Sequence, residues 1–464
     1  MAHVFTFNKT FLAVALWVST SPVHALGLVE AYSFALRHDP TFQAAIKEND
    51  AGQEYENIGR AGLLPRVNAN YQNMPHNWQK QDSSSTNFFG QTQNVTERQK
   101  YKSYSGSISL TQPLFDYEAW SRYQMGIAQS LMANERYRIY LLDLAVRVTN
   151  AYLEVTQARD QLELVTAQIK TYEQQLTLNK VMLDGGEGTI TDISETEAAW
   201  DLAKAHQIEA QNTLESSQRT LGSLTGIPLT EMNTVQSLQT RAFTFIPLSP
   251  GKYAQWESLS LKHNPIIAET QHGVKVAKHD IERSRAGFMP TVNLYASHAI
   301  SDSGSDNTIG QRYRTDSVGL QVSMPLFSGG ETAAMTRQSA ARYEQAMHTR
   351  DAQVANTLNE LHTQYDLVQS SQARISAYQS AVKNAEVRLT STRKSVMAGE
   401  RSNLDVITAA QQLYTARADL MNAKYTYIKA YIGLLNNAGV LKQQDITRVA
   451  RYFSPVSTRV TDAN

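Results

Sequence analysis

The side chains best placed to do chemistry lie in two short segments, Gly185-Gly186-Glu187-Gly188-Thr189-Ile190-Thr191-Asp192 and Ala398-Gly399-Glu400-Arg401-Ser402-Asn403-Leu404-Asp405. Gly186 and Gly399 stand where a helix would stop and reverse, as a glycine just past a helix C-terminus does. The Thr and Ser residues that follow can cap the next helix. Gly185 to Thr189 is glycine-rich enough to suggest a phosphate loop, but the lysine that such a loop needs does not follow. Taken alone, Asp192, Arg401 and Asp405 read as exposed helix-start charges, worth under ~1 kcal/mol each through dipole and pairing effects. Other chemistry has little to build on. The 11 histidines are scattered, with no His-Glu-x-x-His motif, nucleophile constellation or dinucleotide fingerprint. The absence of cysteine excludes a disulfide scaffold, a zinc–thiolate site and a lipidated N-terminal cysteine. No metal, cofactor or enzymatic activity is expected. With 43 basic and 43 acidic side chains, nothing suggests the clustered basic surface that nucleic-acid binding needs.

These turns must be carried by very long elements. The stretch from Asp116 to about Leu183 follows Pro113-Leu114-Phe115 and runs without an internal proline, as does Ser328 to about Val396 after Pro325-Leu326-Phe327. Small or apolar residues recur at Leu141, Leu144, Val148, Ala151, Val155, Ala158, Leu162, Val165, Ile169, Tyr172, Leu176 and Leu183, in alternating steps of three and four. Asn179 is the one polar intruder. This is a coiled-coil seam of about six heptads. A helix of that length reaches roughly 100 Å.

The start of the chain reads as a signal peptide over residues 1–25. A weakly basic start (His3, Lys9) precedes an apolar core from Phe11 to Val18, and Val23-His24-Ala25 fits a cleavage site. Mean hydropathy is −0.40, and no later window approaches the ~18 apolar residues of a transmembrane helix. The mature chain, from Leu26, is expected to be exported without a helical membrane anchor.

The chain is an internal repeat. Leu36-Arg37-His38-Asp39-Pro40 matches Leu261-Lys262-His263-Asn264-Pro265, and Arg60-Ala61-Gly62-Leu63-Leu64-Pro65 matches Arg285-Ala286-Gly287-Phe288-Met289-Pro290, both at an offset of 225. The Pro-Leu-Phe triplets are offset by 212, and Gly186 with Asp192 matches Gly399 with Asp405 at 213. The change in offset falls between Val67 and Pro113, which marks a length-tolerant loop there. The first repeat is placed at 26–227, with strands near 65–73 and 103–113, a long helix over 116–184 and a helix over 191–226. A linker spans 228–249. The second repeat is placed at 250–440, with strands near 290–300 and 313–325, a long helix over 328–397 and a helix over 402–438. Residues 441–464 form a short polar tail. Pro65, Pro113, Pro290 and Pro325 fall at the four strand–helix junctions, where a residue with fixed φ and no donor is tolerated.

The four strands alternate, with Val67, Ala69 and Tyr71 on one side and Asn68, Asn70 and Gln72 on the other. The polar stretches Asn73–Lys100 and Ser301–Arg312 read as exposed loops. About ten tilted residues suit a bilayer's hydrocarbon thickness. Four strands cannot close a barrel, and an open edge cannot face lipid, so closure requires oligomerisation. A soluble sandwich edge is the alternative for the strands. For the whole chain, the alternative is a structural envelope coiled coil with no conducting pore.

At this point the chain resembles the TolC family of outer-membrane efflux and type I secretion proteins, in its unlipidated TolC-like branch. The resemblance covers nearly all of the mature chain and rests on the order of the repeat, the Asp/Asn-Pro pairs, the Leu-Pro and Pro-Leu-Phe junctions and the two turns. It implies a mainly α fold with a small β part: a homotrimer whose chains share a 12-stranded transmembrane β-barrel, four strands each, above a long coiled-coil α-helical barrel in the periplasm. The implied function is a passive exit duct for type I protein secretion or small-molecule efflux. The implied partners are a periplasmic adaptor and an inner-membrane ABC-type or proton-driven transporter. By the same resemblance the two turns form the periplasmic entrance. Asp405 maps onto a constricting aspartate ring, Arg401 and Asp192 onto a latch, and Gly186, Gly188, Gly399 and Glu400 onto the docking tips. The chain departs from the family pattern at Thr408, where a second aspartate ring would stand, and at Val396 in place of a latch tyrosine.

Overall fold

The computed structural model describes residues 26–228, 235–239, 243–304 and 311–454. The expected signal peptide lies outside the described residues, as do 229–234 and 240–242 of the expected linker and 455–464 of the tail.

The helical part is built around two helices, α3 (Tyr117–Asp184) and α7 (Glu331–Met397), of 68 and 67 residues. At 1.5 Å per residue each is about 100 Å long. Shorter helices flank them in two tiers. In the upper tier α2 (Pro40–Ala61) packs on α3, and α6 (Pro265–Arg285) packs on both α3 and α7. In the lower tier α4 (Ile190–Thr225) returns along α3 and α8 (Asn403–Asn437) along α7, with α8 also against α3. The breaks between α1 (Leu28–His38) and α2, and between α5 (Tyr253–His263) and α6, follow from the Asp39-Pro40 and Asn264-Pro265 pairs. A residue before proline is driven to extended backbone, and its side chain then caps the helix that the proline opens. Asp39 accepts from the Phe42 N–H at 3.0 Å, and Asn264 from the Ile266 N–H at 2.8 Å. Among the described residues no helix is long and apolar enough to cross a membrane.

The main core lies at the waist, where Leu28, Leu144, Tyr152, Leu153, Tyr427 and Leu434 are buried together. Here the tail departs from the expectation of a short polar extension. Its first part forms α9 (Gln443–Ala450), with Ile446 and Val449 buried, and then β6 (Phe453–Ser454), which pairs with β3 (Ser237–Leu238). The Tyr452 ring stacks on Phe243, and Phe453 meets Tyr152 edge-on. The four apolar side chains of this segment were hidden by its polar average.

The sheet has the order β1–β2–β4–β5, all antiparallel, from β1 (Arg66–Thr86), β2 (Thr92–Phe115), β4 (Thr291–Ser303) and β5 (Gln311–Ser323). Both outer edges, β1 and β5, are unpaired among the described residues. The first hairpin corrects the expected Asn73–Lys100 loop: β1 and β2 continue to a turn between Thr86 and Thr92. Past Asn77 neither face is apolar, so the period-two signal disappears while the backbone pairing persists. Likewise β4 reaches Ser303 and β5 starts at Gln311, inside the second expected loop. Pro65 and Pro290 directly precede β1 and β4, and Pro325 lies between β5 and α7. Pro113 lies inside β2, at a register shift against β4 between Pro113 and Phe115, where a strand tolerates a missing donor.

Candidate functional site

The two turns at the far end of the long helices repeat one construction. Gly186 (φ 78°) and Gly399 (φ 74°) adopt left-handed backbone that a side chain would strain. The Gly186 N–H donates to the Leu183 carbonyl at 3.0 Å and the Glu187 N–H to Met182 at 2.8 Å; Gly399 to Val396 at 2.9 Å and Glu400 to Ser395 at 2.9 Å repeat the pattern. These bonds satisfy the last carbonyls of α3 and α7. Gly188 then passes so close to α3 that a Cβ would come within 2.8 Å of the Leu183 backbone nitrogen. Glu400 and Arg401 are exposed.

The next helices open with matching capping boxes. Asp192 Oδ2 accepts from the Thr189 N–H at 3.0 Å and from Thr189 Oγ1 at 2.6 Å. Asp405 Oδ2 accepts from the Ser402 N–H at 3.2 Å and from Ser402 Oγ at 3.1 Å. Both half-buried aspartates therefore hold their own turns. Within one chain no ion pair joins Arg401 to Asp192; the nearby pair between α3 and α4 is Lys180 with Glu197 at 3.7 Å. Thr408 bonds back to the Leu404 carbonyl at 2.8 Å.

Beneath the turns lies a cluster that sequence reasoning missed. Asn179 (α3), Thr196 (α4), Asn403 (α8) and Gln175 (α3) are all buried. The Asn403 Nδ2 donates to the Asp192 carbonyl and to Thr196 Oγ1, both at 3.1 Å. The Asn179 Nδ2 donates to the same two acceptors at 3.1 and 2.9 Å. The Gln175 Nε2 donates to Asn179 Oδ1 at 3.1 Å and Asn403 Oδ1 at 3.0 Å. This clasp ties the start of α8 to the α3–α4 pair through buried amides, where hydrogen bonds specify one arrangement. Asn179, the break in the heptad seam, was its one visible trace.

A second buried polar group sits nearer the waist. Tyr425 Oη donates to Asp160 Oδ2 at 2.7 Å, and burial pushes the Asp160 carboxyl up to about 6. Burial also lowers the neighbouring Lys424 amine, against the opposing pull of Asp160.

Residues 31–227 and 256–440 match the family described as outer membrane efflux protein. The chain is 45% identical over 429 residues to the alkaline protease secretion protein AprF of Pseudomonas aeruginosa, covering 92% of this chain and 88% of that one. It is 40% identical over 450 residues to the proteases secretion protein PrtF of Dickeya chrysanthemi, covering 96% and 95%. In fold it is similar to the outer membrane protein VceC of Vibrio cholerae, with a TM-score of 0.75 at 18% identity over 89% of this chain and 96% of that one. The repeat, the paired turns and the open sheet thus find their place: the chain belongs to the outer membrane efflux protein family, the TolC-like channels of the outer membrane whose helical part lies in the periplasm.

Proposed function

We propose that three copies of this chain form a passive duct that carries secreted protein out of the periplasm. The observation that supports this most directly is the four-stranded sheet with two unpaired edges, set on helices about 100 Å long. Unpaired strand edges have no hydrogen-bond partners in lipid. Three such sheets, joined β5 to β1, give twelve strands and a lumen, whereas two give eight and a barrel filled by side chains. The likeness to AprF and PrtF, named for protease secretion, favours protein cargo. An ABC-type inner-membrane transporter and a periplasmic adaptor would supply the energy and the docking at the turns, since the chain has no nucleotide loop. Catalysis has no part in this role.

The gate belongs to the trimer. Asp405 from three chains forms the constriction, where like charges repel one another and attract cations. Because Arg401 has no carboxylate partner among the described residues, the latch pairs it with Asp192 of a neighbouring protomer. Opening is then a shift in population when the adaptor engages the turns.

Single-channel recording of the purified trimer in a planar bilayer tests both claims. Wild type should show a small, cation-selective conductance that changes in Asp405→Ala. The Arg401→Ala/Asp192→Asn pair, which keeps a capping acceptor at 192, should raise the open fraction. Unchanged gating in that variant sinks the latch, and a pore indifferent to Asp405→Ala moves the constriction elsewhere. A folded trimer without conductance would restore the structural coiled coil.

A further inference from the structure

We propose that the upper, outward face of the sheet binds the phosphorylated headgroup of a glycolipid in the outer leaflet of the membrane. The inference rests on the barrel reading above and adds a ligand to it.

The register sorts the sheet into two faces. On β2 one face carries Leu110 and Ile108, then Tyr104, then Lys102, Lys100 and Arg98. Leu110 lies opposite Val67 and Ala296, and Ala296 lies opposite Val318, so this is the apolar face that meets lipid. The register shift on β1 between Met74 and Asn77 brings Trp78 opposite Lys100 and Lys80 opposite Arg98, on that same face. The Lys100 ammonium sits 5.7 Å from the Trp78 ring centroid. On β5, Arg314 lies opposite Ile300, which itself lies opposite Gly106, again on the lipid side. The other face reads Ser107, Ser105, Ser103, Tyr101, Gln99 and Glu97 along β2. From Asn68 upward, every lysine and arginine of the four strands falls on the outward face.

Hydrophilic strands above a membrane need only be polar, and solubility alone would place cations on both faces. Here the sorting follows depth as well. Lys102 lies twelve residues beyond Leu114, roughly 40 Å along the strand and roughly 30 Å in height at the usual barrel tilt. Leu114, Phe115 and Phe327 are exposed at the lower end. On β2 the cations therefore begin about where the hydrocarbon ends, beyond Tyr104, and on β5 Arg314 lies in register with Gly106 and Tyr71, close below them, near the level of an amphiphile's headgroup. The acidic groups on this face are already engaged. Asp82 pairs with Lys80 at 2.9 Å, Asp302 with Arg312 at 2.9 Å, and Asp316 meets His298 at 2.6 Å. Among the described residues this leaves the exposed Arg98, Lys100, Lys102 and Arg314 with no carboxylate partner, as a phosphate-binding surface would require.

The test uses the full-length trimer in detergent and three probes: bisphosphorylated lipid A, the same lipid with both phosphates removed, and inorganic pyrophosphate. Bound lipid is read by native mass spectrometry. Wild type should bind bisphosphorylated lipid A at least ten-fold more tightly than Arg98→Gln/Lys100→Gln/Lys102→Gln/Arg314→Gln, and more tightly than it binds the dephosphorylated lipid. Pyrophosphate should not displace the lipid. The charge-keeping variant Arg98→Lys/Arg314→Lys should retain binding. If the four-glutamine chain does not assemble, Lys100→Gln alone, compared with wild type at rising salt, carries the same comparison. Equal binding by the glutamine variants, or by the dephosphorylated lipid, overturns the proposal. Displacement by pyrophosphate also overturns it, since the site would then be one for soluble phosphate. Conductance of the same preparations separates the two readings: lipid binding without a pore would reject the duct and keep the surface.

Discussion

Removing the Asn403 side chain should loosen the periplasmic tip by an amount that the clasp geometry fixes. Asn403→Ala deletes three hydrogen bonds, to the Asp192 carbonyl, to Thr196 Oγ1 and from Gln175 Nε2. At about 0.5–1.5 kcal/mol each, the gross loss is about 2–4 kcal/mol. Every partner keeps another bond, however. Gln175 still reaches Asn179, Asp192 still accepts from Asn179 and Thr196, and Thr196 still accepts from Asn179. Only one buried N–H, on Gln175, loses its acceptor, so the cost stays toward the low end, about 2 kcal/mol. Thr196→Val is nearly isosteric, yet it takes an acceptor from two buried amides at once and leaves one N–H of each unpaired. It should cost about 3 kcal/mol, more than the larger truncation. Hydrogen exchange read by mass spectrometry over residues 194–200 and 407–413 measures both. At 1.4 kcal/mol per decade, exchange should quicken about 30-fold in Asn403→Ala and over about 100-fold in Thr196→Val, with residues 28–38 unchanged. Unaltered protection, or the reverse order of the two variants, would refute the clasp.

Two further outcomes concern the waist and the first helix break. Asp39→Ala removes both the cap on Phe42 and an ion pair with Arg147 at 2.8 Å, in which the Asp39 side chain is almost wholly enclosed. Since Arg147 keeps Asp143 at 2.6 Å, the loss in unfolding free energy should be about 2–3 kcal/mol. Asp39→Asn should recover about 1 kcal/mol of it, because Asn264 caps the repeat-related helix in that form. Equal losses in the two variants would remove the cap from the account. For Asp160, the folded carboxyl near 6 lies above its ordinary value of 3.8. The folded chain therefore binds the extra proton between those values, and stability should fall as pH rises from about 4 to about 6 and stay lower above. Asp160→Asn, which keeps an acceptor for Tyr425, should flatten that fall in denaturant midpoints taken across the window. An unchanged slope would assign the pH dependence to other groups.

The fold was legible where one physical demand dominates. Three-four spacing over six heptads can only be a long helix, and the offset of 213 between Gly186 and Gly399 forces two equivalent turns. The extended hairpin was not legible, because strand patterns are visible only when one face is buried, and past Asn77 neither is. The clasp failed for a different reason. Gln175, Thr196 and Asn403 come from three helices, and their burial depends on how those helices meet, which no local pattern encodes. The turn charges were read by residue type, and their types fit two roles. Within the chain Asp192 and Asp405 act as caps, and among the described residues no ion pair joins Arg401 to either.

The duplicated tips also show how one device takes on two functions. The capping boxes and left-handed glycines are the same in both copies, but the residue that opens the following helix is not. Ile190 opens α4 and is 73% exposed, whereas its counterpart Asn403 opens α8 and is 5% exposed, inserted among Gln175, Thr196 and the Asp192 carbonyl. The other clasp members have lost their counterparts too: Asn179 corresponds to Thr392, Gln175 to Arg388 and Thr196 to Ala409. The second tip therefore leans on the first, and among the described residues the second copy has no matching amide cluster. A chain with isoleucine at both positions would lose the amide link between the start of α8 and the α3–α4 pair, leaving α8 held by its apolar packing on α3 and α7. The substitution of a small amide for an apolar side chain breaks the twofold symmetry in energy while the backbone keeps it in shape.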